Sequence, residues 1–148
     1  MSAPTAQDPG APGELLLAAL LADKPTPATT AALWRAARTW LASGGAVPLQ
    51  RCARLPTTPA ALRSAARNLW VARAAELLTP GAAPFTQAAP LAQELTHFIT
   101  SGLWLTWCNA PTAPATASDL RAALFHIAKY NDGAILSARH IARIIANN

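Results

Sequence analysis

The sequence predicts an all-α fold, a compact bundle of about five or six helices with no sheet. Its apolar residues are mostly Ala and Leu, and Ala favours a helix because it loses no side-chain entropy there. Apolar residues recur at three- and four-residue steps, which is the spacing of one helix face. Two Thr-Pro pairs, Thr26–Pro27 and Thr58–Pro59, combine a good N-cap with the residue that suits the first helical position.

The domain organisation follows from length and composition. A chain of 148 residues is long enough for one domain with a buried core. Residues 1–12 are rich in Pro, Ala and Gly and have no periodic pattern, so we expect a disordered tail there. Residues 13–148 then form a single helical domain. The Pro-containing loop at 79–90 and the linker at 111–117 are its candidate sub-boundaries.

Start and stop signals place the individual helices along the chain. They predict long helices at 13–22, 27–43, 59–78 and 91–109, of which the second is ended by Gly44 and Gly45. A short helical turn is predicted within 47–54. The C-terminal part has a helix that starts at Thr116 and ends at Asn131, and a last helix at 138–146 capped by Ser137.

The helical period also assigns faces to these segments. In 27–43 one face carries Leu33, Ala37, Trp40 and Leu41, and another carries Arg35 and Arg38. In 59–78 the predicted apolar face is Leu62, Ala65, Ala66, Leu69, Ala72 and Leu77, which leaves Arg63, Arg67 and Trp70 along one side. In 91–109 the predicted buried stripe is Leu91, Leu95, Phe98, Ile99 and Gly102.

The two C-terminal helices show the same periodicity. The helix after Thr116 is expected to turn Leu120, Leu124, Ile127 and Ala128 to the core, and Arg121, Phe125 and Lys129 elsewhere. The last helix is expected to bury Ile141, Ile144 and Ile145, and to present Arg139, His140 and Arg143 on its outer side.

The charge distribution is strongly asymmetric. The net charge is +5, and the stretch from Lys24 to Arg73 carries +8 without a single Asp or Glu. Residues 1–23 and 74–120 carry −3 each, and residues 121–148 carry +3. The basic residues therefore fall in two blocks separated by a middle without any basic residue.

The basic blocks have two interpretations that the sequence leaves open. A genome of high GC content also favours Arg, so these residues are either a solvated helical surface or a phosphate-binding one. Under the second interpretation Trp70 stacks on a base, and the arginines add little to stability because they are exposed. The candidate nucleic-acid-binding residues are Arg35, Arg38, Arg51, Arg54, Arg63, Arg67, Arg73, Trp70, Arg139, His140 and Arg143.

The C-terminal segment has a resemblance to a known family. Its pattern is Ser118-Asp119-Leu120, then Asn131-Asp132-Gly133, then the nine residues from Ser137 to Ile145. This pattern resembles the winged-helix tail of phage and plasmid primase-helicases. The resemblance implies a helix-turn-helix-like pair whose second helix presents Arg139, His140 and Arg143 to DNA, although the sequence has no strands for a wing.

Neither a catalytic nor a metal-binding motif is found. The acidic residues form no spaced pair, and His97, His126 and His140 lie far apart from one another. Cys52 and Cys108 are too few for a disulfide framework. We therefore expect a protein that is not an enzyme and needs no cofactor, with the cytoplasm of a bacterium as its compartment and no membrane association.

Two functions are consistent with these features. The first is a small DNA-binding accessory protein of a phage, plasmid or mobile element, for which DNA is a better candidate than RNA and a replication protein or a phage or host protein is a further partner. The alternative is a protein-interaction module, either an accessory subunit or a phage-encoded inhibitor. Its partner-binding residues would be Trp104 and Trp107, because the second half of helix 91–109 is apolar on almost all sides.

Overall fold

A computed structural model describes residues 12–148 of the chain. These residues form eight α-helices and no strand, which confirms the all-α prediction. The helices are α1 (Pro12–Ala22), α2 (Pro27–Ala42), α3 (Leu49–Cys52), α4 (Pro59–Leu78), α5 (Pro84–Thr100), α6 (Leu103–Trp107), α7 (Asp119–Tyr130) and α8 (Ala138–Ala146). The prediction of a disordered tail falls outside the described residues, except that Pro12 begins α1.

The described residues divide into two compact units, residues 12–62 (unit 1) and residues 63–148 (unit 2). The division lies inside α4, not at the loop 79–90 or the linker 111–117 where the sequence suggested sub-boundaries. The prediction of a single domain stays a prediction.

Unit 1 is held together by small residues. Its helices α1 and α2 pack on each other, and α3 packs on α2. The shared core consists of Leu16, Ala32, Ala36 and Ala53, with Cys52 and Leu55 at its edge. The start of α2 is the capped start predicted from Thr26 and Pro27. The Thr29 N–H donates to Thr26 Oγ1 at 3.2 Å, and the Thr26 N–H donates to Thr29 Oγ1 at 2.8 Å.

The face of α2 that carries its large apolar residues is not the buried one. The helix buries Thr29, Ala32 and Ala36. Leu33, Trp40 and Leu41 are exposed, and Ala37 is half-buried. Short side chains let neighbouring helices approach closely, so α2 packs through its small residues.

Unit 2 has the larger core, and α5 lies at its centre. Helices α6, α7 and α8 all pack against α5. The predicted stripe of Leu91, Leu95 and Phe98 is buried, with Ile99 half-buried beside it. The core contains the following buried residues of α4, α7 and α8: Val71, Ala74, Ala75, Ala123, Leu124, Phe125, Ile127, Ala128, Ile141, Ala142 and Ile144.

Helix α5 begins seven residues before the predicted start at Leu91. Pro84 occupies the first turn, where its missing N–H has no intrahelical partner to lose. Pro90 lies inside the helix, and Thr86, whose carbonyl would accept the missing hydrogen bond, is an exposed residue. The predicted loop 79–90 is therefore wrong beyond Ala83.

A glycine divides the predicted helix 91–109 in two. Gly102 has φ 91°, in the left-handed region that favours glycine, and it separates α5 from α6. The sequence placed Gly102 in the buried stripe as part of a continuous helix. The glycine instead ends that helix, as it commonly does at a C-terminus.

The C-terminal helices follow the prediction with two corrections. Helix α7 is capped by Ser118 rather than Thr116, because the Ser118 hydroxyl accepts the Arg121 N–H at 3.2 Å. Phe125 is fully buried, although the sequence placed it off the core side. Helix α8 has the predicted bounds and cap, and its Ser137 hydroxyl accepts the His140 N–H at 3.2 Å.

Gly133 fits its position only because it lacks a side chain. Its φ is 73°, and a Cβ there would lie 2.6 Å from Trp104 Nε1.

We expect Gly133→Ala to lower the free energy of unfolding by about 1–3 kcal/mol more than Gly81→Ala, because only the first creates a clash. Gly81 is the matched control, since its φ is 69° and a Cβ added there would have no neighbour within 4 Å. Urea unfolding of both variants measures the difference, and equal losses would contradict the packing against Trp104.

Candidate functional site

Two of the candidate arginines are engaged in contacts within unit 2. Arg63 forms an ion pair with Asp132. Arg67 Nη1 donates to Asn131 Oδ1 at 3.1 Å, and its Nε and Nη2 donate to Asn68 Oδ1 at 3.2 and 3.0 Å. Both arginines therefore hold α4 against the connection between α7 and α8.

These contacts correct the predicted faces of α4. Ala66 is buried as predicted, but Val71, Ala74 and Ala75 supply the rest of the buried side. Leu62 and Leu77, assigned to the apolar face, are exposed. Arg67 is half-buried, so the expectation that this arginine is exposed is wrong.

Trp70 also packs inward. Its ring stacks on that of His126, with centroids 4.4 Å apart, and it packs against the core of unit 2. Its Nε1 is buried and has no hydrogen-bond partner within residues 12–148. One face of the indole is thus occupied by His126, and a base could reach only what remains. The stacking role of Trp70 stays a prediction.

His126 belongs to a small aromatic group. Besides Trp70, it contacts Phe125 edge-on at 5.2 Å and lies near Tyr130 at 6.5 Å between ring centroids. Burial lowers the pKa of His126, and the positive charge of Lys129 lowers it further. A neutral imidazole suits a stacked position between aromatic rings, so this histidine has a structural role.

The other candidate arginines are exposed. Arg63–Asp132 is the one ion pair that the structure shows between residues 12 and 148. Arg139 and Arg143 lie one turn apart on the outer side of α8, while His140 is half-buried. The exposed candidates are Arg35, Arg38, Arg51 and Arg54 in unit 1 and Arg73, Arg139 and Arg143 in unit 2.

The α7–α8 pair lacks the tight turn of a helix-turn-helix. Its connection spans residues 131–137, whereas the helix-turn-helix turn has about three or four residues. Helix α8 packs chiefly against α5. The resemblance to the primase-helicase tail stays a prediction. Of the residues that it implies for DNA contact, Arg139 and Arg143 are exposed.

The tryptophans of α6 are half-buried. Trp104 packs against Phe125 with centroids 6.1 Å apart, and Trp107 packs against Phe98 at 5.8 Å. Both rings contribute to the core of unit 2. The partner-binding role predicted for them stays a prediction, and the most exposed apolar residue of α6 is Leu105.

The strongest surface feature lies on α2 and combines Trp34, which the sequence indicated as an exposed tryptophan, with Leu41, which the helical period placed on the apolar face. Trp34 is 68 % exposed and Leu41 is 73 % exposed on the side of α2 away from its buried residues. Arg38 lies between them, one helical turn from each. We call Trp34, Arg38 and Leu41 the α2 stripe. The alanines opposite the stripe were the available signal, since a helix that packs through small residues turns its large ones outward.

An apolar groove runs beside the stripe. It lies between α1 and α2, has a volume of about 250 Å³, and includes the exposed Leu20 and Leu33 on its lining. A second open depression adjoins it, formed by Pro25, Pro27, Ala31 and neighbouring residues up to Trp34. We call the first of these the α1–α2 groove. Its full lining is Leu16, Ala19, Leu20, Asp23, Pro25, Thr29, Thr30 and Leu33.

Neither a metal-binding cluster nor a membrane-spanning helix occurs in the described part of the chain. Between residues 12 and 148, no three His, Cys, Asp or Glu residues lie close enough together to hold a metal ion. No helix in the same range has the length and apolarity needed to span a bilayer.

Comparison with protein families, with curated proteins and with solved structures found no match to this chain.

The contacts of Arg67 predict a stability difference between two arginines of one helix. Arg67→Ala should lower the free energy of unfolding by about 1–3 kcal/mol, because Asn131 and Asn68 lose a charged donor. Arg73→Ala, at an exposed position of α4, should change it by less than about 0.5 kcal/mol. Urea unfolding compares the two, and an equal small effect would mean that the Arg67 contacts do not stabilise unit 2.

Proposed function

We propose that this protein is an interaction module that binds a partner protein through the outer side of α2. One observation carries the proposal: α2 buries Thr29, Ala32 and Ala36 and leaves its large apolar residues in solvent. Burying a large apolar side chain is worth about 1.5–3 kcal/mol. An exposed group of such residues on one helix marks an interaction surface better than scattered single residues do.

The composition of the surface also fits protein recognition. Trp and Arg are enriched among the residues that contribute most of the binding energy at protein interfaces. Trp34 and Arg38 lie one turn apart on α2. The proposed surface lies in unit 1, on a different helix from the Trp104 and Trp107 site expected from the sequence.

A second candidate function is DNA binding, in an accessory protein of a phage, plasmid or mobile element. It rests on the exposed arginines. Residues 24–62 carry five basic residues and no acidic one, and all four arginines among them are exposed. In unit 2, Arg139 and Arg143 add a pair on the outer side of α8. Phosphates would satisfy these charges, but they would leave Leu33 and Leu41 in water. Protein binding is therefore the first proposal.

Site-specific photo-crosslinking in the source cells tests the first proposal. A photoreactive phenylalanine derivative in place of Trp34 should form an adduct of discrete mass with one protein, identified by mass spectrometry. Adding Leu41→Asp should reduce the adduct roughly tenfold, since losing one buried Leu contact costs about 1.5–3 kcal/mol.

The matched control for Leu41 is Leu105, because the two leucines are 73 % and 75 % exposed in different units. Leu105→Asp should leave the Trp34 adduct unchanged, and neither substitution should shift the urea midpoint. No adduct at position 34, or equal sensitivity to both substitutions, would contradict a protein-binding surface on α2.

A salt series tests the second candidate. If exposed arginines contact duplex DNA, replacing Arg139 and Arg143 by Gln should lower the slope of log affinity against log salt by roughly 1.8, about 0.9 for each phosphate contact. Arg63→Gln should leave the slope unchanged, because Arg63 faces Asp132. Absence of DNA binding at low salt, or an equal loss of slope for Arg63→Gln, would refute this arrangement.

A further inference from the structure

We infer that the partner surface that docks on α2 carries a carboxylate between two apolar contacts, and that this carboxylate pairs with Arg38. The inference rests on the proposed function and specifies the chemistry of the partner. It depends on where Arg38 lies in the α2 stripe, on its lack of an acidic neighbour, and on the residues along the two flanks of the stripe.

Arg38 lies between the two large apolar residues of the α2 stripe. Trp34 precedes it by four residues and Leu41 follows it by three, so the three side chains share one side of the helix. The distance along α2 from Trp34 to Leu41 is about 10 Å, at 1.5 Å per residue. A partner that covers both apolar residues therefore also covers Arg38 and removes its guanidinium from water.

Within residues 12–148, Arg38 has no carboxylate partner. It is exposed, and the one ion pair in this range joins Arg63 to Asp132. A guanidinium that a partner covers without supplying an acceptor loses its hydration and gains no hydrogen bond in return. A carboxylate matches the planar N–H donors of Arg and also neutralises its charge. The partner is therefore expected to supply a carboxylate at this position.

The two flanks of the stripe differ in character. Arg35 lies one turn from Arg38 on the same flank and is also exposed. The opposite flank carries Leu33 and Trp40, which are exposed apolar residues. Residues 24–62 contain no Asp or Glu that would repel an acidic partner. The matching surface is thus apolar opposite Leu33 and Trp40 and acidic opposite Arg38.

Other occupants of the stripe do not meet both requirements. Two copies of this chain, packed stripe against stripe, would place Arg38 opposite or beside Arg38 of the other copy, and juxtaposed like charges oppose association. Nucleic acid would pair its phosphates with Arg38 and stack a base on Trp34, but it would leave the exposed Leu41 in water. A protein surface with a carboxylate between apolar side chains satisfies the charge and covers both apolar residues.

Three synthetic helical peptides test the inference. Each carries Leu at positions i and i+7 of an otherwise neutral helix, and they differ only at position i+3, which is Glu, Gln or Lys. Fluorescence anisotropy of each labelled peptide, titrated with the full chain, measures its affinity. We expect the Glu peptide to bind roughly tenfold more tightly than the Gln peptide, because an ionised acceptor strengthens the bond to a guanidinium. The Lys peptide should bind most weakly.

Arg35 is the matched control for Arg38, because both arginines are exposed on α2 and only Arg38 lies between Trp34 and Leu41. Arg38→Gln should weaken binding of the Glu peptide by roughly thirtyfold, since it leaves a covered carboxylate without its partner. Arg35→Gln should weaken it by less than about fivefold, because a charge at the rim stays in water. Neither substitution should shift the urea midpoint.

Equal affinities of the Glu and Gln peptides, no binding by any of the three, or equal losses in the two Arg variants would overturn the inference. So would a dimer in sedimentation velocity that Leu41→Asp dissociates, since the stripe would then hold a second copy. Binding of a single-stranded oligonucleotide that is tighter than that of the Glu peptide and is lost in Trp34→Ala would assign the stripe to nucleic acid, which overturns the inference as well.

The proposed function and this inference fail separately. If a photoreactive residue at position 34 captures a protein and Arg38→Ala leaves the amount of adduct unchanged, the proposed function holds and this inference is wrong. If the Glu peptide binds with the expected preference but no adduct forms in cells, the surface has the stated chemistry and the proposed function is wrong.

Discussion

The packing of Val71, Ala74 and Ala75 into the core of unit 2 is the interaction that orients α4, and the polar contacts of this helix with the α7–α8 connection lie on the same side. Arg63 pairs with Asp132 and Arg67 donates to Asn131, so the side of α4 that carries them lies against the unit. Trp70 follows on the same side and stacks on His126. Arg63 and Arg67, which the sequence suggested for phosphate contacts, therefore contact other residues of the protein. The net charge overstates the number of arginines that are available to an anionic ligand.

Unit 1 has a different kind of core from unit 2, because it packs through small side chains. Its core is built mainly from alanines, with Leu16 as the one large residue at the centre of the cluster. Close packing through small side chains gives limited apolar burial, because each Ala removes little surface from water. The leucines and tryptophans of α2 then remain outside, where a partner's apolar side chains can cover them. The apolar surface and the limited core are two consequences of one packing arrangement.

The two candidate functions compete for the same cations. Arg38 lies one turn from the exposed Trp34, and Arg35 is also exposed on α2. Guanidinium groups bind carboxylates and phosphates with similar geometry. Charge therefore cannot separate an acidic protein from a nucleic acid. The aliphatic residues can, because Leu20, Leu33 and Leu41 gain from contact with apolar side chains and gain nothing from a phosphate backbone. In unit 2, Arg139 and Arg143 are exposed on the outer side of α8, so an anionic ligand there would be recognised by charge.

The sequence by itself determined the class of the fold and most helix ends, because caps and breakers act locally: Thr26 with Pro27 started α2, and Ser137 started α8. Its errors at the ends were also local, since Pro84, Gly102 and Ser118 each had competing roles within a few residues. Tertiary structure alone decided which face of α2 and of α4 is buried, whereas the buried stripe of α5 followed from the sequence. In a helix rich in alanine, such as α2 or α4, several faces are apolar enough to pack, and the choice depends on distant partners. In α4, Arg63 and Arg67 lie beside Asp132 and Asn131 on the side that faces unit 2, while Ala32 and Ala36 let α2 pack closely and left Trp34 and Leu41 exposed.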